Sequence, residues 1–411
     1  MSAAGGSAGP GNSGPFPGNS AGNDASFGEL RGIRQEISLS KTRSVVVYDP
    51  MANRERFVAL DAFRGATMAL MVLVNNPGDG RNTYAPLKHA DWNGWTPTDV
   101  VFPSFLWIAG VALTLSLERR LAEGVSRSAL FMQALRRAAI LYVLGLIVYA
   151  APAFSLSTQR LLGVLQRIAI CYLAAAAISL VARWRGQIVW IAGLLGVYWA
   201  LMAFVPVPGF GAGRLDVDGN FAHYIDSIVL GAHNYHSTKT WDPEGIVSTL
   251  PAIATALFGA LCGRLLLWDR PLVTRLTRMF LIGVALLVAG QVCDLWLPIN
   301  KKLWTSSFAL FMAGLDFVVL AVFMWLVDAK GWKRPVQPLV IMGLNPITVY
   351  MAAELLDETL NFTGLHKRIY AAVFVPLASP MNASLLWALV FTSLMFGVAW
   401  IMWRKRWVVR A

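Results

Sequence analysis

Residues 97–117 read PTDVVFPSFLWIAGVALTLSL, and Asp99 is the only charged residue among them. A helix of about 20 mostly apolar residues is long enough to cross the hydrocarbon core of a bilayer. Nine other windows along the chain have a similar length and composition. The sequence therefore predicts an all-α polytopic membrane protein with about ten transmembrane helices. The predicted spans are 57–74, 97–117, 132–151, 161–182, 187–206, 246–267, 278–297, 304–327, 336–356 and 384–403.

The overall composition agrees with that pattern. The 411 residues have a mean hydropathy of +0.55, with 56% hydrophobic and 14% charged residues, which excludes an ordinary soluble globular domain. The net charge of +12 would suggest a nucleic-acid partner in a soluble protein. Here the basic residues occur in short stretches between apolar spans, so they indicate membrane topology and no nucleic acid.

The distribution of lysine and arginine predicts the orientation. Placing both termini in the cytoplasm puts eighteen of these residues in the inside loops and nine in the outside loops, as the positive-inside rule requires. Residues 1–50 are rich in Gly, Ser, Asn and Pro and are predicted to be a disordered cytoplasmic N-terminal segment. That segment lacks the apolar core of a cleavable signal peptide, so the first span is expected to be an uncleaved anchor.

Several functional classes lack their sequence signatures. The three cysteines show no CxxC spacing, and neither a phosphate-binding GxxxxGK[ST] loop nor a GxSxG elbow occurs. His233 and His236 have HxxH spacing, but their segment lacks helical periodicity and nearby acids, so no metal is expected. Asp242 and Glu244 are interpreted as turn and capping residues before a span.

Charged residues inside the spans are the next candidates, because they are costly in a membrane. Asp61 and Arg64 are three residues apart and can form an ion pair, or Arg64 can bind a cytoplasmic anion. Arg167 lies roughly 10 Å inside its span, so it should face the protein interior or a wet cavity and have an anionic partner. Asp316 is a candidate for that partner, or is simply protonated.

The loop before the second span, LKHADWNGWTPTD, concentrates polar groups. Thr96 can cap the helix, with Pro97 at its first position and Asp99 reaching back to the cap. The tryptophans of the loop are typical of an interfacial belt. His89 fits neither role, and a neutral imidazole can act as a general base or nucleophile, with Asp99 fixing its tautomer.

Ten short motifs follow one another between residue 54 and the C-terminus: LDAFRG, VNN, KHADWNG, DVVFP, GVLQR, PVPG, YIDSIVLG, WDPEG, PINKKLW and GLNPITVY. In this order they resemble the family of heparan-α-glucosaminide N-acetyltransferase and its bacterial homologues. The resemblance implies that residues 54–411 form a transmembrane acetyltransferase domain in a bacterial inner membrane. It further implies a possible homodimer.

The resemblance also implies the reaction and its site. Acetyl-CoA is accepted from the cytosol, without a metal, and the acetyl group is delivered to an amine on the far side. The histidine of KHxxWNG, which is His89, is implied to be catalytic. The Asn of the VN motif, the aspartate before VFP and the arginine of GVLQR match Asn75, Asp99 and Arg167.

The two opposed faces suggest how acetyl-CoA binds. Its polar nucleotide should stay at the cytoplasmic mouth near Arg64, while its pantetheine arm passes through a cavity between the helices. Arg167 and Asn345 are the other predicted cofactor-binding residues. Pro346 should break its helix and leave carbonyls that neighbouring groups or water must satisfy. The break is either a packing kink or part of the cavity lining. The oxyanion can be stabilised by Asn75, Asn345 or Arg167.

Two mechanisms and three functions stay open at this stage. His89 either forms an acetyl-imidazole or removes the proton of the attacking amine. The leading function is N-acetylation of a glucosamine-like amino sugar on the periplasmic side. The alternatives are O-acylation of an envelope glycan and secondary transport, in which Arg167 and Asp316 line the substrate path.

Overall fold

The computed structural model describes residues 57–151 and 154–409. The predicted segment 1–50 lies outside these residues, and the proposed domain boundary at residue 54 stays a prediction. The described helices are α1 (Val58–Asn75), α2 (Pro97–Ala122), α3 (Arg127–Ala150), α4 (Val164–Val181), α5 (Trp184–Phe204), α6 (Phe221–Val229), α7 (Thr249–Leu266), α8 (Leu272–Cys293), α9 (Ser306–Met324, continuing as a π-helix to Ala329), α10 (Gln337–Leu344), α11 (Pro346–Phe362), α12 (Leu365–Ile369) and α13 (Pro380–Arg404).

The number of membrane spans agrees with the sequence prediction. Within the described ranges, nine helices are long and apolar enough to cross a membrane, and the bent pair α10–α11 makes ten if it is counted as one span. Each predicted window coincides with one of these helices or with that pair. The protein is an all-α polytopic membrane protein. We call the membrane face at which α2 begins the His89 face, and the other the opposite face.

The predicted start of α2 is confirmed. Thr96 is the N-cap and Pro97 is the first helical residue. The Asp99 carboxylate accepts the backbone N–H of Thr96 at 3.0 Å, which satisfies one of the donors that a helix start leaves free. The cap fixes where the loop of residues 87–96 meets the helix.

Glycines allow two helix pairs to approach closely. A Cβ added to Gly65 of α1 would lie 1.7 Å from the carbonyl oxygen of Leu339 in α10, so the two backbones touch there. A Cβ at Gly110 of α2 would lie 1.9 Å from the carbonyl oxygen of Ala256 in α7. Small residues at membrane helix crossings maximise van der Waals contact. These crossings bring α1 against α10 and α2 against α7.

The predicted break at Pro346 is also confirmed. The axes of α10 and α11 differ by 77°, and Asn345 lies at the break. The amide of Asn345 is buried and binds the C-terminal segment, donating to the carbonyl of Trp407 at 3.0 Å and accepting the N–H of Val409 at 2.9 Å. The break redirects α11, which carries the acidic residues Glu354 and Asp357 to the His89 face.

Candidate functional site

His89 and Asp99 form a pair at the His89 face. The His89 Nδ1 atom is 2.6 Å from Oδ1 of Asp99, whose other oxygen accepts the backbone N–H of Ala90 at 3.0 Å. Asp99 is only 1% exposed, whereas the His89 side chain is 45% exposed. A buried carboxylate facing Nδ1 favours the tautomer with its proton on that atom. Nε2 then carries no proton, and its lone pair is not used by Asp99.

Lys301 is the closest cation to that imidazole. Its Nζ atom lies 3.1 Å from His89 Nδ1, 3.3 Å from His89 Nε2 and 3.8 Å from Asp99 Oδ1. Burial lowers the pKa of Lys301, although Asp99 and Glu244 act in the opposite direction. An ammonium beside Nε2 is in place to stabilise a negative charge that develops there.

A hydrogen-bonded loop pair positions both residues. Gly94 N–H donates to the carbonyl of Ile299 at 2.7 Å, and the Asn300 amide donates to Oδ1 of Asn93 at 3.2 Å. Lys302 donates to the carbonyl of Asp91 at 2.5 Å. The loop before α2 is therefore held against the loop between α8 and α9, which brings the lysine next to the histidine.

A cavity of about 650 Å³ opens in front of His89. That volume is within the usual range for small-molecule sites. One wall carries the acids Glu354 and Asp357 of α11, and the Asn75 side chain lies next to Glu354. The other polar or aromatic lining residues include Asn76, Trp92, Tyr149, Arg160, Tyr235, Trp241, Glu244, Lys302 and Tyr350.

Arg160 fixes a second group of acids in the cavity wall. Its guanidinium donates to both carboxylate oxygens of Asp242, at 2.8 and 2.6 Å, and to Glu244 at 2.5 Å. It also lies over the rings of Tyr149 and Tyr235, at 4.7 and 4.4 Å from their centroids. Burial acts to raise the pKa of Glu244, but the nearby arginine charges lower it overall. Bidentate and cation–π contacts together fix the guanidinium in one orientation.

Asp226 of α6 holds the segment that contains those acids. Its carboxylate accepts the backbone N–H of Ile246 at 2.9 Å. A Cβ added to Gly245 would lie 1.9 Å from the Asp226 carboxylate, so the close approach requires glycine. Burial raises the pKa of Asp226 to about 6. Asp242 and Glu244 therefore belong to a braced loop, which goes beyond the capping role predicted from sequence.

Three predicted site residues come together and three do not. Asn75, His89 and Asp99 all line the cavity. Arg64 lies eleven residues before Asn75 on α1, or roughly 16 Å away along the helix, and pairs with Asp61 at 3.0 Å. The predicted ion pair is confirmed, and Arg64 is absent from the cavity lining. Asn345 is likewise absent from it and binds the C-terminal segment instead.

Arg167 is fully buried, as predicted, but Asp316, the candidate for its anionic partner, does not contact it. It donates to the carbonyl of Gly245 at 2.9 Å and to the Ser248 hydroxyl, and it lies over the Trp304 ring at 5.2 Å. Asp316 instead accepts a hydrogen bond of 2.5 Å from Ser104. Arg167 therefore supports the floor beneath the braced loop and does not line the cavity.

The loop histidines have structural contacts. His233 contacts the carbonyl of Gln159 through Nδ1 at 2.8 Å. His223 stacks on Trp241 with centroids 4.0 Å apart, and burial lowers its pKa to about 4. No cluster of three or more His, Cys, Asp or Glu side chains suited to a metal occurs among the described residues.

Sequence reasoning missed four residues of this site. Lys301 and Glu244 lie within the motifs PINKKLW and WDPEG, which are the sequence signal that indicates them. Arg160 follows a polar loop, and in the sequence it is indistinguishable from the other basic residues outside the spans. Glu354 gave no signal, because a single acid near the end of an apolar helix does not indicate which way it faces.

Comparisons with known proteins agree with the motifs. The family described as heparan-alpha-glucosaminide N-acetyltransferase, catalytic, matches residues 56–291. The heparan-alpha-glucosaminide N-acetyltransferase of Mus musculus is 30% identical in an alignment of 367 positions that covers 76% of this chain and 55% of that protein. The Homo sapiens protein of the same name is 30% identical in an alignment of 364 positions that covers 75% of this chain and 54% of that protein. The chain thus spans about half the length of the curated relatives it matches.

Proposed function

The chain belongs to the heparan-alpha-glucosaminide N-acetyltransferase family, and we propose that it transfers the acetyl group of acetyl-CoA to the amine of a glucosamine-like sugar. The observation that carries the proposal is the pairing of His89 Nδ1 with buried Asp99 at the edge of the large cavity. That contact keeps the proton on Nδ1, so the unprotonated Nε2 can act as a base or a nucleophile.

Each of two mechanisms uses this nitrogen. In the first, Nε2 attacks the thioester carbon, the thiolate of CoA leaves, and the amine then takes the acetyl group from the imidazole. In the second, the amine attacks the thioester directly while Nε2 removes its proton, which is passed to the departing thiolate. Release of one equivalent of CoA without acceptor supports the first mechanism, and its absence supports the second.

Lys301 and Asn75 are suited to stabilise the tetrahedral intermediate. Both line the cavity, and the Lys301 ammonium is 3.3 Å from His89 Nε2. An oxyanion forming at a carbonyl beside Nε2 would lie within reach of that charge. Of the three groups predicted from sequence for this role, we therefore keep Asn75 and replace Arg167 and Asn345 by Lys301.

The acidic wall favours an amine acceptor over a hydroxyl one. Glu354 and Asp357 line the side of the cavity formed by α11, and neither forms an ion pair with a lysine or arginine among the described residues. A protonated amino sugar would be attracted to these carboxylates before it loses its proton. A sugar hydroxyl gains no such attraction.

The membrane arrangement completes the proposal. We place both termini in the cytoplasm of a bacterial inner membrane, so that the His89 face is periplasmic and acetyl-CoA enters from the other face. Reporter fusions to the loops at 123–126 and 208–218 test this orientation. We also keep the homodimer as a proposal, which the mass of the detergent-solubilised protein measured by light scattering will test.

The activity is tested by CoA release from acetyl-CoA with purified protein, with and without glucosamine. We expect glucosamine-dependent release that is lost in His89→Ala and retained in the control His236→Ala, whose side chain is exposed in a loop at the same face. N-acetylglucosamine identified by mass spectrometry confirms the product. Equally little CoA release by wild type and His89→Ala with every amino sugar and hydroxyl acceptor would refute the proposed activity and leave secondary transport to be tested.

A further inference from the structure

A second cavity, of about 350 Å³, lies towards the opposite face. It is formed by the C-terminal half of α2, the N-terminal half of α3 and the middle of α4. Its polar and aromatic lining consists of Ser116, Arg120, Gln133, Arg136, Arg137 and Tyr172, and we call it the arginine cleft.

The cleft has an uncompensated positive charge. Its lining contains three arginines and no carboxylate. The neighbouring acids are paired elsewhere, since Glu118 contacts Arg264 at 2.5 Å and Glu123 contacts Arg119 at 2.8 Å. None of the three cleft arginines forms an ion pair within the part of the chain that the structure describes. Like charges around one small space repel each other, so the arrangement favours an anionic ligand.

The shapes of these side chains match a phosphate-bearing molecule. A guanidinium presents a planar fork of N–H donors that binds phosphate oxygens in pairs. Arg137 is held 5.1 Å above the centre of the Tyr172 ring, so one of the forks is already oriented. Gln133 and Ser116 add neutral hydrogen-bonding groups at the rim. The set resembles a site for phosphate groups more than a site for a carboxylate alone.

The distance to the His89 cavity is similar on all three helices. The nearest lining residues of the two cavities on one helix are Phe105 and Leu113 on α2, Ile140 and Tyr149 on α3, and Val164 and Tyr172 on α4. The members of each pair are eight or nine positions apart, or roughly 12–14 Å along the helix. An extended phosphopantetheine arm is on the order of 20 Å long at ordinary bond lengths. A thioester whose phosphates lie in the cleft can therefore reach the His89 cavity.

The helices between the two cavities are packed unequally. α2 packs along α7 and α3 packs along α4, whereas α2 and α3 contact each other only sparsely. A thin arm that passes between α2 and α3 disturbs the fewest contacts. An arm in this position would leave the close crossing of α2 and α7 at Gly110 intact.

We propose that the arginine cleft binds the phosphate groups of acetyl-CoA, with the pantetheine arm passing between α2 and α3 to the His89 cavity. This rests on the proposed function for the identity of the ligand. It differs from the sequence prediction, which assigned the nucleotide to Arg64. The phosphate of an anionic lipid has the same binding chemistry, and the experiment separates the two sources.

The test measures CoA binding to the purified protein by calorimetry and acetyl transfer with two donors. One donor is acetyl-CoA, and the other is S-acetyl-N-acetylcysteamine, which has the thioester but no nucleotide. The double variant Arg120→Gln/Arg136→Gln removes two cleft charges and leaves the stacked arginine in place. The matched control Arg127→Gln/Arg270→Gln removes two arginines from the same side of the protein that do not line the cleft.

We expect the cleft variant to bind CoA about tenfold or more weakly and to have a correspondingly higher KM for acetyl-CoA. Its kcat/KM for the short thioester and the CoA affinity of the control should match wild type. Unchanged CoA affinity in the cleft variant would overturn the proposal. So would an affinity change that appears only in nanodiscs containing phosphatidylglycerol and not in phosphatidylcholine alone, because the phosphate would then belong to lipid.

The binding measurement is independent of the proposed reaction. If wild type transfers no acetyl group to any acceptor but binds CoA through the cleft arginines, the proposed function fails while the cleft assignment stands. If wild type transfers the acetyl group and the cleft variant is unaltered with both donors, the function stands and the cleft assignment fails.

Discussion

Replacing Asp99 by asparagine tests how the site sets the tautomer of His89. One carboxylate oxygen accepts from His89 Nδ1 at 2.6 Å, and the other accepts the backbone N–H groups of Ala90 and Thr96, each at 3.0 Å. Asparagine has one acceptor oxygen, which the two backbone donors should retain. Its amide NH₂ then faces Nδ1, so Nδ1 must become the acceptor and the proton must move to Nε2.

The expected loss follows from those contacts. Protonated Nε2 can neither remove a proton nor attack a carbonyl, so kcat/KM should fall by about 10² to 10⁴, the usual contribution of a general base. Loss of one charge-assisted hydrogen bond should also lower the free energy of unfolding by about 1.5–3 kcal/mol. Thiol detection of CoA release measures the first effect, and thermal unfolding in detergent measures the second.

The matched control is Asp91→Asn, which changes an exposed acid of the same loop. Its activity and unfolding temperature should equal those of wild type. The reasoning fails if folded Asp99→Asn keeps activity within about tenfold of wild type. It also fails if Asp91→Asn loses as much activity, because the loss would then reflect the charge of the loop and not the tautomer.

Four further outcomes are expected. Lys301→Met should lower kcat about 10²- to 10³-fold with little change in acceptor KM, and a purely KM effect in steady-state assays would contradict the oxyanion role. Glu354→Gln should raise the KM for glucosamine but not for acetyl-CoA; equal KM values for glucosamine in the variant and wild type would remove Glu354 from acceptor binding. Gly245→Ala should destabilise the fold by about 1–3 kcal/mol in thermal unfolding, because its Cβ meets the Asp226 carboxylate, whereas Gly80→Ala, which has open space, should not. Because burial raises the pKa of Asp226 from 3.8 to about 6, the folded state binds its proton more tightly than the unfolded state. The resulting stabilisation is full below the unfolded pKa and is lost as the pH rises through about 6. Wild type should therefore lose about 2 kcal/mol relative to Asp226→Asn between about pH 4 and 7, and a pH-independent difference in unfolding would contradict this.

The spans and the helix caps could be predicted from sequence because they depend on local properties. Apolar length gave the ten spans, and the TPTD segment gave the start of α2 because a capping box is a contact between residues three apart. The His89–Asp99 contact was predictable for a related reason. The two residues lie in one short loop, and a carboxylate is the side chain that fixes an imidazole tautomer.

Long-range partners could not be predicted in this way. Lys301 is 212 residues from His89, and only the pairing of two loops brings them together. Arg167 and Asp316 are both deep charges, but depth along a helix does not specify the direction in which a side chain points. Asn345 shows the same limit, since its partners are backbone groups of the C-terminal segment, which no side-chain pattern indicates.

The break at Asn345 also allows α11 to rotate about its first residues while α10 stays in place. α10 is held to α1 by the backbone crossing at Gly65, while α11 leaves the break at 77° and runs for 17 residues, or roughly 25 Å. A hinge rotation of about 5° would move the far end of α11 by roughly 2 Å and Glu354 by about half as much. Two residues of the C-terminal segment, Trp407 and Val409, hold Asn345 at this hinge through backbone hydrogen bonds. A molecule or fusion that pulls on the C-terminus therefore acts on the acidic wall of the cavity from the other side of the membrane.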